Sequence, residues 1–166
     1  MTDRLRPCLW IKGNVQEAAS FYADNFPDSQ IERVVNSPAP WPNGDTGDPI
    51  TVDMILVGQP VMLLSGGPDD DKPNKAISLS VETADQAETD RLWNAIVDHG
   101  GQPIQCGWCR DRYGFNWQVT PRLLNELIAS DDKQVAERAF EAMVEMVKID
   151  VATLEKVVAD QAGDAG

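Results

Sequence analysis

Three groups of side chains in this sequence have the types and the spacing to do chemistry. Cys106 and Cys109 form a CxxC pair, the arrangement of dithiol redox centres and of half a zinc site. A redox pair of this kind normally opens a helix, whose dipole lowers the thiol pKa. Here it precedes Arg110-Asp111-Arg112 and Tyr113-Gly114, a charged reversal, and no second Cys or His pair completes a zinc set. Packing is the role this context favours, and the three charges read as a solvated turn. Asp53, between Val52 and Met54 on a strand-like run, is the second candidate. Facing a cavity with Thr51 and Ile55, it would be a buried carboxylate with a raised pKa, fit for acid–base work. Facing solvent, it would be an ordinary strand carboxylate. The third group is neutral: Asn116, Gln118 and Thr120 alternate with Trp117, Val119 and Pro121. Period-two alternation puts those three polar side chains on one strand face, where they can hold a ligand by hydrogen bonds.

The remaining polar clusters read as structural. His99 is the only histidine and stands between Asp98 and Gly100 at a predicted helix end, a favourable place for a cation. Neither a Ser-His-Asp nor a Cys-His set is evident. Asp69, Asp70 and Asp71 lack the alternating ligands and distal Glu of a calcium loop.

The elements that position these residues follow from periodicity. RPCLWI (6–11) reads as a buried strand, and the run after Gly13-Asn14 has helical spacing through Val15, Ala18, Ala19, Tyr22 and Phe26, with Asn14 as N-cap. Residues 29–36, 50–57 and 60–65 are predicted strands around a Pro/Gly/Asp-rich loop at 37–49. A polar linker, 66–75, leads to KAISLSVE (75–82), whose alternation sets Ile77, Leu79 and Val81 against Ser78 and Ser80. A helix over 84–101 and strands at 102–106, 107–111 and 115–120 complete the second half. Each half is therefore β-α-β-β-β, a duplication in element order. From Arg122 the period is helical, with Asp131 and Asp150 at N-cap positions and an apolar stripe through Met143, Met146 and Leu154. The end, 161–166, is predicted to fray.

Composition narrows the partners. The chain has 166 residues, 42% of them apolar, and 14 Lys and Arg against 27 Asp and Glu, a net charge of −13. That balance argues against nucleic acid and anionic membranes. No 18-residue apolar run and no signal-peptide core is present in the sequence, which predicts a cytoplasmic protein.

Several stretches together resemble a known family: PCLWI followed by GNVQEAASFYADNFPDSQI, GGP with AISLSV, QCGW-DRYG-WQVTP, and EAMVEMVKIDVATLE. In that order they are similar to the PhnB-like, glyoxalase-like branch of the vicinal oxygen chelate (VOC) superfamily, a branch often labelled demethylubiquinone methyltransferase. The resemblance implies an α+β fold of paired βαβββ modules (glyoxalase/bleomycin resistance/dioxygenase-like), a ligand cavity on the concave sheet face, and a homodimer. The modules would span about 5–66 and 75–121 within one domain over 1–121, followed by a helical extension over 122–160. The methyltransferase label has no support in these residues, which hold no Gly-rich nucleotide loop after a first strand.

In the superfamily a divalent metal is held by His, Glu or Gln from four strands, and the motifs place those positions at Pro7, Leu63, Ala76 and Gln118. One neutral amide cannot hold such an ion, and the neighbours Cys8, Met62, Leu64 and Ile77 make no site either. The expectation is a protein without metal or other cofactor that binds a small polar or aromatic ligand. Asp53, Ser78, Ser80, Asn116, Gln118 and Trp108 would line its site. The alternative is a metal-independent enzyme of the same fold, using Asp53 or Asp111.

Overall fold

A computed structural model describes residues 5–66 and 73–159. The chain divides into two compact units, 1–72 and 73–166. In the first, strand β1 (Cys8–Ile11) leads to helix α1 (Val15–Asn25), and β2 (Gln30–Asn36), β3 (Pro49–Leu56) and β4 (Gln59–Ser65) follow. The sheet order is β1-β4-β3-β2, with β1 parallel to β4 and the other pairs antiparallel. Asn14 caps α1, its side-chain oxygen accepting from the amides of Gln16 and Glu17. One sheet face and α1 bury Ile11, Tyr22, Val52, Met54 and Leu63, and Tyr22 meets Phe26 edge-on at 5.2 Å. Alternation then leaves Cys8, Trp10, Thr51, Asp53, Met62 and Leu64 on the opposite, open face.

The second unit repeats the pattern: β5 (Leu79–Thr83), α2 (Gln86–Val97), β6 (Gln102–Pro103), β7 (Trp108–Arg110) and β8 (Asn116–Pro121), in the order β5-β8-β7-β6. Its covered face buries Leu92, Trp93, Ile96, Cys109, Trp117 and Val119. Thr83 and Thr89 tie β5 to α2. Thr89 donates to the Asp85 carbonyl, so in the 2.6 Å contact between the two hydroxyls Thr83 is the donor.

Several predicted strands are shorter than their sequence patterns: 102–106 shrinks to Gln102–Pro103 and 107–111 to Trp108–Arg110, and β5 loses its first residues. Residues 75–77 form a turn, with Asn74 Oδ1 accepting from the Ala76 amide at 2.8 Å, and β5 begins at Leu79. Ile77 therefore does not point to the helices with Leu79 and Val81; it is 73% exposed. Hydrophobic alternation cannot distinguish a strand from a turn that happens to keep its period.

Three helices follow: α3 (Arg122–Ile128), α4 (Lys133–Glu145) and α5 (Val151–Ala159). The N-cap of α4 is Asp132, not Asp131, and Asp150 accepts from the Thr153 amide at the start of α5. Leu124, Ile149 and Leu154 form a buried cluster with Leu127, Met143 and Met146 packed against it. Of the stripe predicted through Met143, Met146 and Leu154, Leu154 is buried in this cluster and the two methionines pack half-buried against it. The segment between α4 and α5 straps onto the sheet: Cys106 N donates to Met146 O at 2.8 Å and Gly107 N to Val147 O at 2.9 Å. Lys148 pairs with Asp90, and the Gln86 side chain bonds both Ile149 O and Val151 N.

Candidate functional site

The β7–β8 hairpin carries most of the predicted site. Gly114, with φ +94°, closes its turn in a conformation that favours glycine. The turn is held by a carboxylate, contrary to the reading of 110–112 as solvated: Asp111 is 3% exposed. Its Oδ1 accepts from the amides of Tyr113 (2.9 Å) and Phe115 (3.0 Å), and its Oδ2 accepts from Trp117 Nε1 at 2.8 Å. A carboxylate committed to three donors fixes a loop and an indole; it is not poised as a base.

Across β7 and β8, Cys109 faces Trp117 on the covered side, while Trp108 faces Gln118 and Arg110 faces Asn116 on the open side. Gln118 Nε2 donates to Ser78 Oγ at 2.7 Å, and Ser80 lies opposite Gln118 on β5. The open face of the second sheet therefore brings together Trp108, Asn116, Gln118, Ser78 and Ser80. Asn116 is 1% exposed, and neither Nδ2 nor Oδ1 has a hydrogen-bond partner. Arg110 Nε beside it is also buried and unpartnered. Orphaned polar atoms of this kind are costly, and native interiors rarely keep them.

Asp53 lies in the other unit, on the open face of the first sheet. Arg6 reaches its Oδ1 at 2.8 Å and Arg33 its Oδ2 at 2.6 Å, with the Asp53 side chain 14% exposed. It is neither an isolated buried carboxylate nor a free surface one, because both oxygens are held by guanidinium groups.

Cys109, the second thiol of the CxxC pair, is inert by environment. Burial and the nearby Asp111 carboxylate push the Cys109 thiol up to about 12, so thiolate chemistry is suppressed. Cys106 sits in a left-handed turn (φ 60°) strapped to Met146, and all three cysteines are free thiols.

The positions to which the resemblance assigns a metal do not fit one here. Leu63 is fully buried on the covered face of the first sheet, Ala76 lies in a turn, and Gln118 is bound to Ser78. On β4 it is Met62 and Leu64 that face the open side, and neither supplies an oxygen or nitrogen. Among the described residues no group of three His, Cys, Asp or Glu side chains is placed to share an ion. Zn²⁺, Mn²⁺ or Ni²⁺ is accordingly expected to leave the melting temperature unchanged, since an ion stabilises the native state only through a native site. About one metal per chain after mild purification would contradict this.

The roles of two residues in this geometry, Arg110 as an unpaired cation and Asp111 as the anchor of the turn, do not follow from the sequence. Arg110 and Asp111 look like any charged turn; the one signal for Asp111 is its position three residues before Gly114 and six before an indole.

Comparison with known proteins places this arrangement. The profile of the family described as 3-demethylubiquinone-9 3-methyltransferase matches residues 3–120. A PhnB protein from Bacillus cereus, a putative 3-demethylubiquinone-9 3-methyltransferase, is similar at 25% identity with a TM-score of 0.63, over 72% of this chain and 99% of that one. Protein PA1353 from Pseudomonas aeruginosa is similar at 22% identity and a TM-score of 0.54, over 70% of this chain and 97% of that one. The fosfomycin resistance protein FosX from Listeria monocytogenes shares the fold alone, at 10% identity and a TM-score of 0.52, over 76% of this chain and 97% of that one. No curated protein matches. The open-faced sheets and the profile match agree: the chain belongs to the 3-demethylubiquinone-9 3-methyltransferase-like (PhnB) family of the VOC superfamily.

Proposed function

We propose that this protein is a metal-free small-molecule-binding protein whose ligand lies on the open face of the second sheet. The observation that carries this reading is Asn116, almost wholly buried with both amide atoms unpartnered. A fold that keeps an amide in this state has a use for it, because the same position filled by an apolar residue would cost less. The half-buried Trp108 and the Gln118–Ser78 pair add a flat apolar wall and further polar groups on the same face. A homodimer, as the family resemblance implies, and a cytoplasmic location, as the sequence predicts, are part of this reading.

The alternative, an enzyme acting through Asp53 or Asp111, finds less support. Each carboxylate is engaged on both oxygens, Asp53 by two arginines and Asp111 by three hydrogen-bond donors.

Gln118→Leu is the direct test. It removes hydrogen-bonding groups at nearly constant volume, so the fold should persist while the affinity of a bound fragment falls about tenfold or more. Titration calorimetry on both proteins reads this, and unchanged affinity would sink the proposal.

A further inference from the structure

Arg110 stands apart from the other arginines. Arg6 and Arg33 share Asp53, Arg91 meets Glu88, Arg122 meets Glu82, Arg112 lies over the Tyr113 ring, and Arg138 is engaged as well. Among the described residues the Arg110 guanidinium meets no ion pair, hydrogen bond or ring contact, in a chain whose net charge is −13. Acidic partners are abundant, yet this cation is left without one. It also sits directly across β7–β8 from Asn116, the other unsatisfied polar side chain of the open face.

We infer that Arg110 and Asn116 together recognise a carboxylate ligand bearing a hydroxyl or amino group on the adjacent carbon. This rests on the binding reading above and names the class of ligand. The unmet valences define the chemistry. Arg110 Nε and Asn116 Nδ2 are donors, which two carboxylate oxygens satisfy; Asn116 Oδ1 is an acceptor, which a neighbouring O–H or N–H satisfies. A simple carboxylate leaves the acceptor unpaired, and a neutral diol gives the guanidinium no counter-charge. Trp108, two residues from Arg110 on the same strand face, offers a surface for the apolar remainder of the ligand. The orphaned atoms are closed to water, so a ligand reaches them only if the side chains that cover them move.

The test uses the full chain and three probes of equal length: α-hydroxyhexanoate, hexanoate and the corresponding vicinal diol. Calorimetry is expected to rank α-hydroxyhexanoate first, each of the others weaker by about tenfold or more, since one charge-assisted or buried hydrogen bond is lost in each case. Arg110→Met should remove the preference for the carboxylates over the diol, with the melting temperature reporting that the fold is kept. Arg110→Lys, which keeps the charge but not the fork, should restore part of it. If the diol binds as well as the hydroxy acid and Arg110→Met changes neither, the face binds small molecules but the ligand class is wrong. If none of the three binds, the ligand class falls by that result alone, while the binding reading is judged separately by Gln118→Leu against any fragment found to bind.

Discussion

Asp111→Ala is expected to cost about 3 kcal/mol of stability, because it strands the amides of Tyr113 and Phe115 and the Trp117 indole N–H inside the protein. In a chain of this size that is a drop of about 10 °C in melting temperature. Asp111→Asn separates the contributions. Its carbonyl oxygen can still accept from the two backbone amides, but its NH₂ group then faces the indole N–H, donor against donor. The expected loss is smaller than for alanine and is concentrated at Trp117, readable as faster hydrogen exchange at its indole. A melting temperature unchanged in Asp111→Ala would show that the turn is solvated after all.

Ending the chain after Pro121 is the second large perturbation. It removes the buried cluster of Leu124, Ile149 and Leu154 and the strap whose carbonyls accept from the Cys106 and Gly107 amides. The space beside Gly107 is close-fitted to that strap: a Cβ there would lie 3.0 Å from Ile149 and 2.8 Å from the Val119 carbonyl. The truncated protein is expected to be insoluble or to lose the order of β7 and β8. Leu154→Ala, a milder version, should cost about 2–5 kcal/mol through the cavity it leaves. Soluble truncated protein with native hydrogen-exchange protection in β8 would show that the helices only accompany the sheet.

Much of the fold was legible because burial imposes periodicity on a sequence. Trp117 and Val119 against Gln118 and Thr120 gave the strand, its faces and its role in the sheet, and Asn14 marked the start of α1. Where local period and tertiary contact diverged, the reading failed. Ala76 and Ile77 keep the alternation of β5 but lie in a turn capped by Asn74. Asp111 looked solvated because charge at a reversal normally is, and only its three partners in space explain its burial. The candidate site was legible to the same depth. Alternation placed Asn116, Gln118, Ser78 and Ser80 on one face, but Arg110 matters through what it lacks, and the absence of a partner has no signature in sequence. Asp53 illustrates the converse: its arginine partners lie 20 and 47 positions away, at Arg33 and Arg6.

The central claim is that the open face of the second sheet receives a small molecule. Side-chain amide and indole resonances of Asn116, Gln118 and Trp108, followed by NMR while fragments are titrated into the full chain, test it most directly. Saturable shifts at all three residues with the same dissociation constant are expected, and those of Asn116 and Trp108 should be lost in Gln118→Leu. Shifts confined to other surfaces, or an Asn116 amide that no fragment moves, would contradict it.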